Sequence, residues 1–129
     1  MQRFVWTLIF TLLLGSRLFA QGVLVTCPKS VHDFGVIKEK AGKVTHVFQI
    51  KNAGKSPLAI IEVTTSCGCT ATQWTKQPIA PGKTGDVSVT FDPEGRPGKF
   101  VKSATVFCTG MKRGYQLRIR GTVESEEKK

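Results

Sequence analysis

The sequence predicts an all-β, antiparallel sandwich of about seven strands, preceded by a cleavable signal helix. Three observations carry that expectation. Short segments alternate apolar and polar residues, most clearly in Lys43 to Lys51, Asp86 to Asp92 and Tyr115 to Arg120, and period two puts one side of each in a core and the other in water. Gly and Pro punctuate the intervals, at Pro78 to Gly82, Pro93 to Gly98 and Gly110 to Gly114. No helical period of useful length follows the leader, which argues against an α/β enzyme fold.

The chain has 129 residues and a formal net charge of +10. It opens with Met1-Gln2-Arg3, an apolar run from Phe4 to Leu14, and Leu18-Phe19-Ala20-Gln21, the pattern of a secretory signal cleaved after Ala20. The run falls short of the roughly 20 residues that span a bilayer, so no transmembrane span is expected after cleavage. Residues 21–123 are then expected as one domain with a hydrophobic core, and 124–129 as a charged, frayed tail. The expected location is secreted or periplasmic. Removing the leader takes away Arg3 and Arg17 and no acid, so the mature chain stays strongly basic and attracts anionic envelope components. The oligomeric state has no signature in the sequence.

In chain order, Val23-Leu24-Val25 reads as a short first strand that Pro28 ends, since proline has no backbone donor. Val31 to Ile37 is a short or bulged strand. Lys43 to Lys51 places Val44, His46, Phe48 and Ile50 on its apolar face, with His46 as a rim histidine or a ligand. Asn52-Ala53-Gly54 is a turn through residues that tolerate positive φ. The strand opened by Pro57 is apolar on both faces until Glu62, as a central, covered strand would be. Asp86 to Asp92, Phe100 to Thr109 and Tyr115 to Arg120 complete the set, the last two joined by a hairpin.

The densest chemistry is Ser66-Cys67-Gly68-Cys69-Thr70. Export permits disulfides, and Cys27, Cys67, Cys69 and Cys108 allow three complete pairings. On a straight strand the two sulfurs of a CxC pair stand too far apart for a disulfide, whose Cβ atoms approach to about 4 Å. Gly68 supplies a bend that closes the gap, and a pair so closed suits thiol exchange. Two thiolates also suit Cu(I), with Met111 or His46 completing the set, whereas zinc generally takes four ligands at wider spacings. The structural reading is an anchored corner. All three readings stay open. No other cofactor is expected.

Arg118 and Arg120 share the outward parity of the last strand, and Lys112 and Arg113 precede them in the hairpin. They make a candidate patch for an anionic partner, or a solvated face that guards an edge. Nucleic-acid binding would add stacking aromatics, which these faces lack. Hydrolysis has little support, with no G-x-S-x-G motif, no marked carboxylate pair, and His32 and His46 as the available imidazoles.

Taken together, His32-Asp33-Phe34-Gly35-Val36-Ile37, Phe48, Asn52-Ala53-Gly54, Pro57-Leu58, the SCGCT element, Pro78-Ile79-Ala80-Pro81-Gly82, Val89-Thr90-Phe91-Asp92 and Gly95-Arg96-Pro97-Gly98-Lys99-Phe100 resemble a family of exported bacterial domains of unknown function. The fold of that family is likened to Hydin-type and major-sperm-protein immunoglobulin-like sandwiches, and the match covers almost all of the mature chain. The resemblance implies an Ig-like sandwich with Cys67, Gly68 and Cys69 as its distinguishing motif, and it implies no activity. Cys27 and Cys108 fall outside that motif and are the candidate disulfide joining the first strand to a late one. The expected function is a non-catalytic binding or structural module of the envelope, meeting its partner through loops or an edge strand. The alternative is a periplasmic thiol-redox or copper-handling protein working through Cys67 and Cys69.

Overall fold

The computed structural model describes residues 24–125. The expected leader lies outside them, as does most of the expected tail. Eight strands carry the described chain: β1 (Val25–Thr26), β2 (Val31–Lys38), β3 (Val44–Asn52), β4 (Ile60–Thr65), β5 (Thr70–Trp74), β6 (Thr84–Phe91), β7 (Gly98–Cys108) and β8 (Tyr115–Glu124). They form two four-stranded sheets, ordered β1-β3-β6-β5 and β2-β8-β7-β4. The strand beyond the expected number is β5, whose Thr-Ala-Thr-Gln-Trp sequence has too little apolar content to show alternation. β8 runs one residue past the expected domain end, pairing Glu124 with Lys38.

The alternating segments build the core as their parity requires. Phe48 and Ile50 of β3, Val87, Val89 and Phe91 of β6, and Leu117 and Ile119 of β8 are all buried. Phe91 and Phe100 stack across the two sheets with centroids 4.1 Å apart.

Two features depart from simple alternation. β1 leaves β3 after Thr26, crosses through Pro28, and returns as β2 in the other sheet, where it pairs with β8 in parallel. The sandwich is therefore mixed rather than wholly antiparallel. β2 is also bulged between Asp33 and Val36. The bulge turns at Gly35, with φ of 69°, in the left-handed region that favours glycine.

β4 is an edge strand, not the covered central strand its composition suggested. A register shift between Ile60 and Glu62 reverses the parity, so Ile60 and Val63 are buried while Ile61 stays 62% exposed. The segment is apolar on both sides because of the bulge, not because a second layer covers it.

Asn52 also acts differently from the expectation. No non-glycine residue among those described has positive φ, and Asn52 holds the following turn with a buried amide instead. Its Nδ2 donates to the carbonyls of Ser56 and Ile79, both at 2.8 Å, and its Oδ1 accepts from Gly54 N–H at 2.9 Å.

Candidate functional site

The SCGCT element is the corner where the chain passes from β4 in one sheet to β5 in the other. The extended backbone stops at Ser66, and Cys67 to Thr70 makes a tight turn closed by Thr70 N–H to the Cys67 carbonyl at 3.2 Å. That turn, centred on Gly68, brings the two sulfurs together as a disulfide, with Cα atoms 5.2 Å apart. The straight-strand spacing that would have separated them is not present.

Further hydrogen bonds anchor the corner. Cys69 N–H donates to Cys67 Sγ at 3.2 Å, and the single Thr65 Oγ1 proton is shared between the Cys67 and Thr70 carbonyls, at 3.2 and 3.4 Å. Ser66 N–H reaches the Ser103 carbonyl, and Asp92 N–H reaches the Cys69 carbonyl. The corner thereby ties together β4, β5, β6 and β7. Cys69 is buried and Cys67 half-buried. A recess of about 200 Å³ lies over Gly68 and Cys69, bounded by Lys43, Asp92 and Arg96.

The expected Cys27–Cys108 disulfide is not formed, and both residues are free, buried thiols. Cys27 follows β1 of one sheet and Cys108 ends β7 of the other, each packed in the core as a small apolar side chain. Tyr115 Oη brackets the Cys27 backbone, accepting from its N–H at 3.3 Å and donating to its carbonyl at 3.4 Å. Burial pushes both thiols above their ordinary pKa, with a Lys29 backbone hydrogen bond partly offsetting this at Cys27, so both stay protonated and poorly nucleophilic.

The candidate copper set is not assembled. Cys67 and Cys69 are bonded to each other, and a disulfide sulfur lacks the thiolate charge that binds Cu(I). Met111 sits in the β7–β8 turn, next to Cys108 and so at the Ile60 end of β4, whereas the disulfide follows the Thr65 end. His46 lies on β3, two strands away from β5. No cluster of metal-ligating side chains occurs among the described residues.

Arg118 and Arg120 do project from the outer face of β8. Arg118 reaches Gln116 Oε1 at 3.1 Å, and Arg120 Nε meets Asp33 Oδ2 at 3.2 Å, with both side chains more than half exposed. Such a pair contributes little stability. Lys112 and Arg113 lie in the turn beyond the Tyr115 end of the strand.

Beside the arginines the structure places residues that the sequence reading did not single out. Val101 of β7 stands opposite Arg120, and Val36 of β2 stands opposite Thr122. They are 64% and 68% exposed. With Lys99, Arg120 and Thr122 they border a recess of about 390 Å³. The signal available in the sequence was Val101 itself, an apolar residue at the outward parity of its strand.

These features define a class: a small Ig-like β-sandwich domain with a CxC disulfide at the corner where the chain changes sheets. Residues 25–123 match the family described as protein of unknown function (DUF1573), and the chain belongs to that family. No curated protein matches it. Among solved structures, a protein of unknown function from Porphyromonas gingivalis W83 superposes with TM-score 0.64 at 15% identity, covering 77% of this chain and 46% of that one. This chain thus spans less than half of that protein. The VesB protease of Vibrio cholerae gives 0.55 at 20% identity, covering 71% and 30%. WR4, an MSP family member from C. elegans, gives 0.54 at 8% identity, covering 80% and 100%. Likeness at these identities concerns the fold alone.

Proposed function

We propose that the chain is an exported, non-catalytic binding module of the cell envelope that recognises an acidic partner protein through the outer face of the β2-β8-β7 sheet. The observation that carries this reading is the mixed character of the face: Arg118, Arg120 and Lys99 project from the same sheet face as exposed Val36 and Val101. A solvated strand face needs the charges and not the valines. Apolar side chains rimmed by arginine are the composition of a protein interface, where the apolar centre supplies affinity and the charges supply orientation and encounter rate. The disulfide corner, tied to four strands, serves in this reading as a structural anchor.

The experiment is photocrosslinking in the native envelope from position 101, with the adduct identified by mass spectrometry. The wild-type chain is expected to give one dominant protein adduct, and Arg118→Glu with Arg120→Glu is expected to abolish it. An adduct that persists in the double variant, or none from position 101, overturns the reading.

A further inference from the structure

The two long sides of the sandwich are finished differently. On one side β4 and β5 run beside each other, and hydroxyls cover backbone carbonyls: Thr72 Oγ1 donates to Val63 and Thr65 Oγ1 to Thr70, both at 3.4 Å. On the other side β1 pairs with β3 only at Val25↔Asn52 and Thr26↔Lys51 before crossing to the other sheet. β3 itself extends back to Val44.

The direction of the uncovered groups follows from the ladder. Asn52 bonds toward β6, donating to Lys83 and accepting from Gly82, whereas Ala53 N–H bonds the Leu24 carbonyl on the β1 side. In an antiparallel strand the N–H and C=O of one residue point the same way and alternate between neighbours. Thr45, Val47 and Gln49 therefore aim both groups away from β6, beyond the point where β1 has left. All three are exposed. The departing chain leaves a recess of about 370 Å³ along this edge, walled by Pro28, Lys29, His46, Val47 and Phe48.

We propose that the Thr45–Gln49 edge of β3 accepts an extended strand from a partner protein, and that this strand alternates apolar and acidic side chains. The open backbone groups supply the hydrogen bonds of an added strand. The apolar wall of Pro28 and Phe48 receives an uncharged side chain at every second position. Lys29 stands at the recess, and Lys43 and Lys51 flank the edge on a chain of net charge +10, so acidic residues complement it. The same lysines oppose pairing of this edge with a second copy of itself. β1 meets β3 at the Asn52 end of that strand, away from this edge. This surface is separate from the arginine-bearing face of the other sheet.

The test uses the exported chain and an eight-residue peptide of alternating valine and glutamate, with a valine–lysine peptide as control. Amide hydrogen exchange followed by NMR is expected to slow about tenfold at Val47 and Gln49 on adding the glutamate peptide, with Phe48 and Ile50, already bonded to β6, unchanged. Val47→Pro removes one outward donor and leaves the β3–β6 ladder intact, and it is expected to weaken binding at least about tenfold. If that variant does not fold, as read from Trp74 fluorescence, wild-type exchange decides alone. Absence of protection at Val47 and Gln49, protection on β4 or β5 instead, undiminished binding by a folded Val47→Pro, or equal binding of the lysine peptide overturns the proposal.

Discussion

His32 of β2 lies flat against His46 of β3 across the two sheets, with ring centroids 3.7 Å apart and planes within 7°. Phe34 and Phe48 meet the two rings edge-on, each at 4.6 Å. The stack bridges β2 and β3 on the side of the sandwich where the chain crosses from β1 to β2. Burial, the neighbouring His32 charge and the charge of Lys29 hold His46 below the ordinary histidine pKa of 6.5. The folded state therefore binds fewer protons at this site than the unfolded chain in mild acid. The associated stability is present above about pH 6.5 and is lost as pH falls toward the lowered folded value. Denaturation midpoints measured from about pH 7.5 to about pH 5 should fall, and His46→Phe should flatten that slope. An identical slope in the variant rules out the stack as its origin.

Asn52 makes three side-chain hydrogen bonds while 1% exposed. Asn52→Ala takes a donor from the Ser56 carbonyl and from the Ile79 carbonyl, the latter bond buried, and should cost about 2 kcal/mol in urea denaturation with an unchanged m value. A loss within about 0.5 kcal/mol, the size of an ordinary surface substitution, contradicts this account.

The Cys67–Cys69 bond closes a loop with a sequence separation of 2, so it constrains the unfolded chain little. Reduction should lower stability by less than about 2 kcal/mol. Alkylation of the native, unreduced chain should leave Cys27 and Cys108 unmodified. After mild reduction Cys67 should label before the more buried Cys69. A tryptic peptide joining Cys27 to Cys108 would contradict the pairing.

Gly121 has no room for a side chain. A Cβ there would sit 2.9 Å from the Gly35 carbonyl oxygen and from the Phe100 ring, at the bulge where Gly35 N–H bonds Asp33 Oδ1 at 2.8 Å. Gly121→Ala should destabilise by about 2 kcal/mol, through displacement of β2. Thermal denaturation compared with Gly68→Ala, where nothing stands within 4 Å of the added carbon, checks the difference.

Much of the architecture was legible in local pattern. The parity of Val44, His46, Phe48 and Ile50 assigned their face correctly, and so did that of Val87, Val89 and Phe91, because alternation is a property of one strand and its own side chains. β4 departs from its sequence pattern because a one-residue bulge at Ile61 mimics burial on both faces. Asn52 suggests a turn through its backbone tolerance, whereas its side-chain amide is what holds the turn. The SCGCT element was visible as the concentrated chemistry, but its pairing was not, because Gly68 permits a bend without requiring one.

By itself the sequence determined an all-β sandwich of alternating strands that carries a CxC motif, since periodicity, turn residues and thiol spacing are local quantities. Only the tertiary structure decided that Cys67 bonds Cys69 while Cys27 and Cys108 remain free, that His32 meets His46, and that β1 leaves β3 after Thr26. Each depends on where the chain crosses from one sheet to the other. Such a crossing brings together residues distant in sequence and leaves no periodic trace along it.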